Sequence, residues 1–242
     1  MNAIESKTIG EFVAQDFRTA AVFSKYKIDF CCKGYKTIDE VCQKKGISKD
    51  VLEHDLSFIL NSNNNSNINF NFLSANLLVD YILETHHRFI EEKTPTLMSF
   101  LDKLCKVHGE RHPELFEIKT LFTISANDLI MHMKKEEIIL FPFIIAMEQA
   151  VLSNQLIDKP HFGTVENPIA ILQEEHESEG IIFSKIALLT NDFTPPDDAC
   201  NTFKVTYSML LEFEQDLHKH IHLENNILFP KAINMEKQFY SN

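Results

Sequence analysis

The stretch His132-Met-Lys-Lys-Glu136-Glu-Ile-Ile-Leu-Phe-Pro142 recurs 88 residues further on as His220-Ile-His-Leu-Glu224-Asn-Asn-Ile-Leu-Phe-Pro230, with six of eleven positions identical. In both copies a His precedes a Glu by four residues. That separation is one helical turn, so the two side chains share a face and can serve one metal ion with a nitrogen and an oxygen. Leu129, His132, Glu136, Ile139 and Phe143 step by three or four residues. So do Leu210, Phe213, Leu217, His220, Glu224 and Ile227. Each His-Glu pair therefore lies on an apolar stripe and faces a core. As surface pairs these residues would contribute only a few tenths of a kcal/mol. Buried carboxylates are normally paired or metal-bound, and two copies in phase with apolar stripes favour a shared metal centre.

Two more helical segments complete the pattern. Around Glu84-Thr-His86-His87, His86 keeps phase with Leu78, Ile82 and Phe89, whereas His87 is rotated by about 100° in an ideal helix. Around Gln173-Glu-Glu-His176-Glu, His176 keeps phase with Ile169, Leu172 and Phe183. His86 and His176 precede the paired histidines by 46 and 44 residues, so each half of the chain reads as a helical hairpin with one lone His and one His-Glu pair. The expected ligands are His86, His132, Glu136, His176, His220 and Glu224. Imidazole and carboxylate without thiolate suit iron or manganese, and two bridging carboxylates suit a pair of ions. Zinc, which favours a closed set of four ligands, fits less well. Three ligands per ion plus bridges leave room for water, an oxo group or an exogenous diatomic. Pro142 and Pro230 lack an N–H and should disturb their helices just beyond each motif.

The surrounding chain supports an all-α fold. It has 242 residues, six Gly and eight Pro, which argues against a fold built on tight β-turns. Long helices are expected over about 75–107, with a possible irregularity at Thr94-Pro95, then over about 113–149, 167–191 and 197–236. Four such helices with modest connections predict an antiparallel four-helix bundle. Asn61 to Asn71 is an Asn/Ser-rich run and reads as a linker, dividing a small helical domain, 1–60, from the bundle at 72–242. In the small domain Thr8 with Glu11 and Thr37 with Glu40 have capping-box spacing, and Ser48 precedes a further helix. A unit of that size has little core of its own and is expected to lean on the larger domain or a second subunit.

A net charge of −12 with no local basic patch argues against nucleic-acid binding. The opening MNAIESKTIGEF has no basic start followed by an apolar run, so no secretory signal is expected. No stretch is apolar for 18 residues, so no membrane span is expected. The five cysteines, Cys31, Cys32, Cys42, Cys105 and Cys200, lack the spacing of a disulfide framework, and the cytoplasm is the expected compartment. The adjacent Cys31 and Cys32 are candidate reactive thiols, weighed against a role as small buried hydrophobes. Cys42, Cys105 and Cys200 read as structural. His108, His112, His218 and His222 read as surface groups or supports of the centre.

With these motifs the chain resembles the repair-of-iron-centres (RIC) proteins, whose C-terminal part is a hemerythrin-like di-iron domain. The resemblance rests on Tyr26-Lys-Ile-Asp-Phe-Cys31-Cys32, the two repeats, Gln173-Glu-Glu-His176-Glu, and Thr194-Pro195-Pro196 with Cys200. Where the family often has Gly-Gly after the vicinal cysteines, this chain has Lys33-Gly34. The resemblance implies the same six ligands, with both Glu bridging, and two non-heme iron ions in this centre, oxo- or hydroxo-bridged. It also implies repair of iron–sulfur clusters damaged by oxidative and nitrosative stress, with iron donation as the means. The implied partners are damaged iron–sulfur proteins or a cluster-assembly scaffold, together with nitric oxide and a second copy in a homodimer. The alternatives are a hemerythrin-like oxygen or nitric oxide binding or sensing protein, and a nitric oxide reductase.

Overall fold

The computed structural model describes residues 7–61 and 69–240. Residues 62–68 of the expected linker lie outside the described residues. The protein is all-α, a four-helix bundle with a small helical N-terminal domain, and its packing divides into two compact units.

The first unit is Met1–Leu78 with Ile221–Asn242. It holds α1 (Ile9–Gln15), α2 (Thr19–Lys25), α3 (Ile38–Lys45), α4 (Lys49–Leu60) and a 3-10 turn at Phe70–Phe72. Both expected capping boxes form. Thr8 Oγ1 accepts from the Glu11 N–H at 3.2 Å while Glu11 Oε2 accepts from the Thr8 N–H at 2.7 Å. Thr37 and Glu40 repeat the exchange at 3.3 and 2.8 Å. Each box satisfies two donors that the first helical turn leaves unpaired. Ser48 stands at the start of α4 but makes no side-chain cap bond.

The segment after Ile221 packs into the same unit as these helices. Asn226 is wedged against Gly10 and Gly34, and its Nδ2 donates to the carbonyls of Phe30 at 3.4 Å and Cys31 at 3.1 Å. A Cβ on Gly34 would lie 2.5 Å from Asn226 Oδ1 and 2.6 Å from the Phe30 carbonyl oxygen. Gly34 is therefore the position after Cys31-Cys32 where a side chain cannot be housed. The Leu-Glu-Asn-Asn segment and the cysteine turn are thus parts of one packed contact. His222 is buried in the same unit with its ring 6.0 Å from Phe17 and 5.9 Å from Phe30. Burial pushes its pKa down to about 3, so it is neutral.

The second unit, Val79–His220, contains the bundle. One helical run consists of α5 (Ala75–Tyr81), a π segment (Ile82–His87) and α6 (Arg88–His108). The next is α7 (Glu114–Lys135), a π segment (Glu136–Leu140) and α8 (Phe141–Ser153). The third is α9 (Glu166–Leu189). The fourth is α10 (Asn201–Leu223); the π segment (Glu224–Leu228) and α11 (Phe229–Tyr240) that follow it in the chain belong to the first unit. Phe213 on α10 marks the shared core. Its ring lies 5.9 Å from Phe89 on α6, 5.2 Å from Phe122 on α7 and 5.6 Å from Phe183 on α9. One aromatic from each helix thus meets at a single layer, which accounts for part of the heavy use of Phe.

The expected irregularity at Thr94-Pro95 is absent. α6 runs through Pro95, and Thr94 Oγ1 donates to the Ile90 carbonyl at 2.6 Å. The irregularities are instead the π segments, two of which end two residues before Pro142 and Pro230. In the first of these the Phe141 N–H reaches back five residues to the Glu136 carbonyl. The prolines' disturbance thus takes the form of a widened turn that begins at each motif's Glu.

Gly34→Ala is expected to destabilise the first unit by about 1–3 kcal/mol through overpacking against Asn226. Thermal unfolding followed by circular dichroism checks this, with a lower midpoint expected than for an alanine placed at exposed Lys33.

Candidate metal centre

The second unit gathers buried imidazoles around one buried carboxylate. Glu136 is fully buried at the start of its π segment. Its Oε1 faces His132 Nε2 at 3.3 Å, and its Oε2 faces His87 Nε2 at 3.3 Å. The two oxygens of one carboxylate thus look toward two different histidines. His176 Nε2 lies 3.0 Å from His132 Nε2. Two groups share Glu136, one with His87 and His220, the other with His132 and His176, and within each the ligand atoms lie within 4.8 Å of one another.

Partners outside these groups orient the rings. His132 Nδ1 bonds Glu175 Oε2 at 2.9 Å, and His87 Nδ1 bonds Glu137 Oε1 at 2.7 Å. With Nδ1–H donating outward, Nε2 keeps its lone pair directed inward, the tautomer a metal requires. Burial would raise the Glu175 pKa, but hydrogen bonds from Lys135 and His132 hold it below the usual carboxylate range. Glu175 therefore remains an anion against His132 at neutral pH. The donor set is imidazole nitrogen and carboxylate oxygen, shared through one two-sided carboxylate, and it suits a pair of metal ions.

Of the residues the sequence singles out, His132, Glu136, His176 and His220 lie in these groups. The first helical run differs. Ideal-helix phase selects His86, but the structure brings His87 to Glu136 and His220. The reason is the π segment Ile82–His87, where bonds span five residues, as from the Arg88 N–H to the Leu83 carbonyl. The extra residue per turn moves His87 under Ile82 where a 3.6-residue period would put His86. His86 is nevertheless buried. Its Nδ1 bonds Asp216 at 2.9 Å, and its ring lies parallel to that of His220, with centroids 5.6 Å apart. Glu224 follows His220 by four residues in the chain, begins its own π segment and is fully buried.

Sequence reading missed the outer carboxylates Glu137, Glu175 and Asp216. Their histidine partners lie 50, 43 and 130 residues away in the chain, so no local spacing reveals them. It also missed Glu179, one turn beyond His176, which is buried and accepts from Ser125 Oγ at 2.5 Å. The candidate thiols Cys31 and Cys32 belong to the first unit. Their sulfurs are 3.8 Å apart, and Cys31 Sγ lies 3.4 Å from Asp29 Oδ1. The hydrogen bond with Cys32, burial and the neighbouring Asp29 push the Cys31 pKa well above the ordinary thiol value. Cys31 is therefore a protonated thiol at neutral pH.

Comparison with known proteins agrees with this geometry. Residues 78–232 match the Hemerythrin HHE cation binding domain, and residues 5–59 match a Domain of Unknown function (DUF542). The chain is 34% identical over 230 residues to the iron-sulfur cluster repair protein YtfE of Musicola paradisiaca, covering 95% of this chain and 97% of that one. It is 32% identical to the iron-sulfur cluster repair protein ScdA of Staphylococcus epidermidis, covering 93% and 96%, and 32% identical to YtfE of Escherichia coli, covering 96% and 98%. The chain belongs to the repair-of-iron-centres family. Its RIC character spans both units, since the relatives align with nearly all of it. As expected, no helix among the described residues is long and apolar enough to cross a membrane.

Glu179 gives this RIC chain a pH signature. Burial, joined by Asp128 and Glu175, pushes its pKa up to about 7 against the Ser125 hydrogen bond, which lowers it. The folded state therefore holds the proton more tightly than the unfolded chain. The resulting stability is complete below the ordinary value of 4.5, falls as pH rises, and is lost above about 7. Urea unfolding of matched metal-loaded samples should show the Glu179→Gln variant losing up to roughly 3 kcal/mol less stability than the parent between pH 4.5 and 8.

Proposed function

We propose that this chain repairs iron–sulfur clusters damaged by oxidative and nitrosative stress, by donating iron from a two-iron centre. The observation that carries the reading is the Glu136 carboxylate, whose two oxygens face His87 and His132 inside a chain that full-length repair proteins match. The proposed ligands are His87, His132, Glu136, His176, His220 and Glu224. Glu224 is assigned as the second bridge because it follows His220 by one turn on an unbroken helical run, as Glu136 follows His132. His87 takes the place that helical phase gives to His86. His86, held by Asp216 and parallel to His220, is assigned to positioning that ring.

Iron in the centre is cargo for damaged clusters, and when bound it supplies a redox-active pair of ions. The chain's own groups set the terms of holding and release. Imidazoles held by Glu137 and Glu175 would offer Nε2 to the ions, and protonation of the ligand groups would loosen the grip. The damaged proteins or an assembly scaffold are the recipients, and the family reading carries a homodimer, nitric oxide contact and a cytoplasmic setting with it.

The test is reactivation of an iron–sulfur enzyme whose cluster has been damaged by nitric oxide, with no other iron source. Iron-loaded protein should restore activity, and His86→Ala should retain more of that effect than His87→Ala. Glu136→Ala, Glu224→Ala and His87→Ala should lose at least about tenfold, the loss that removing even an outer partner of a metal ligand brings. Equal restoration by apo-protein or by Glu136→Ala would defeat the donor reading. The match of residues 78–232 to a hemerythrin domain favours a second reading, reversible binding of oxygen or nitric oxide. That reading requires a reversible spectral change with either gas and no net transfer of iron to the damaged enzyme.

A further inference from the structure

The second unit holds another pair of reactive groups outside the metal centre. His108 ends α6, and Cys200 immediately precedes α10. His108 Nε2 lies 3.3 Å from Cys200 Sγ. His108 is buried, and its Nδ1 has no hydrogen-bond partner, so the ring's one polar contact is the thiol. Of the five cysteines, Cys200 is the exposed one; Cys32 is half-buried and Cys31, Cys42 and Cys105 are buried. His87 and His108 bracket α6, about 30 Å of helix, so this pair is remote from the metal centre.

Both residues sit at helix ends. The Cys200 carbonyl accepts the first intrahelical bond of α10 from Lys204, at 3.1 Å, which places Cys200 at the positive end of a 23-residue helix. His108 sits in the last turn of α6, at the negative end of a 21-residue helix. The charged groups around the pair are already matched. His112 bonds Glu114 at 3.1 Å and Asp198 at 3.0 Å, and Arg111 bonds Asp198 at 2.9 Å. On α10, Phe203 lies edge-on to both His108 and His112 and also packs against the Tyr207 ring. Burial pushes the Tyr207 hydroxyl up to about 12, so it stays neutral.

We propose that Cys200 and His108 form a thiol–imidazole dyad that takes up low-molecular-weight disulfides, making Cys200 a site of reversible S-thiolation. The proton of Cys200 passes to His108 Nε2. The thiolate attacks one sulfur of the disulfide, a new S–S bond forms to Cys200 and the old S–S bond breaks. The departing thiolate takes the proton back from His108 and leaves as a thiol. Cys200 is oxidised to the disulfide level, and half of the small disulfide is reduced. This replaces the structural role that the sequence gives Cys200, and it places thiol reactivity there in preference to the protonated Cys31.

The test is reaction of the full, metal-loaded chain with excess oxidised glutathione from pH 6.5 to 8.5, read by intact mass and peptide mapping. The expected product is one adduct, on Cys200. Its rate should change less than about threefold across that range, because an ordinary thiol with a pKa near 8.5 is only about 1% thiolate at pH 6.5. His108→Gln should slow the reaction about tenfold at pH 6.5 and restore a rise of about tenfold per pH unit, and Cys200→Ser should remove the adduct. A first adduct on Cys32, a parental rate that itself rises tenfold per unit below pH 8, or an unchanged rate in a folded His108→Gln protein would overturn the proposal. Should His108→Gln fail to fold, the parental pH profile and adduct position decide alone.

Discussion

A buried carboxylate must find compensation, and Glu136 finds it on both sides. Leaving such a charge uncompensated in a protein interior costs roughly 3–5 kcal/mol. Here one oxygen faces His132 and the other His87, while Glu175 and Glu137 hold those rings from behind. The arrangement is expensive as plain packing and economical as a cradle for cations. The Phe213 layer is built instead from aromatic rings, one from each of the four helices. The bundle thus combines an apolar layer that holds the helices together with a polar layer that they hold in place.

The π segments are how ordinary helices meet this constraint. Glu136 and Glu224 each begin one, and His86 and His87 lie at the end of another. A widened turn changes which residue faces inward without interrupting the helix. Pro142 and Pro230 follow two of these segments closely, which ties the Ile-Leu-Phe-Pro ending of both repeats to the placement of the preceding Glu. The second copy carries a further duty. Its Asn225 and Asn226 donate to the backbone of the vicinal-cysteine turn, so Asn replaces the Glu137 and Ile138 of the first copy for a reason of packing.

Much of this was legible in the chain itself. The capping boxes at Thr8 and Thr37 depend on neighbours three residues apart, and both form. The four long helices fall within a few residues of the breaks marked by Gly and Pro. The faces that carry the candidate ligands can be read from apolar periodicity wherever the helix keeps its usual period. His87 escaped because a turn of i→i+5 bonds is invisible to counting at 3.6 residues. Glu175, Glu137 and Asp216 escaped because their partners lie on other helices. Gly34 was noticed as the remainder of a Gly-Gly pair, but its need for a bare Cα appears only once Asn226 is beside it. The pairing of Cys200 with His108 joins residues 92 positions apart and has no local signature either.

The central claim is that Glu136 joins two ions within one bundle. Metal analysis of the purified chain, counted per polypeptide, tests it most directly. Two irons per chain are expected, because one carboxylate shared by two histidine groups has a place for an ion on each side. A single zinc per chain would contradict it.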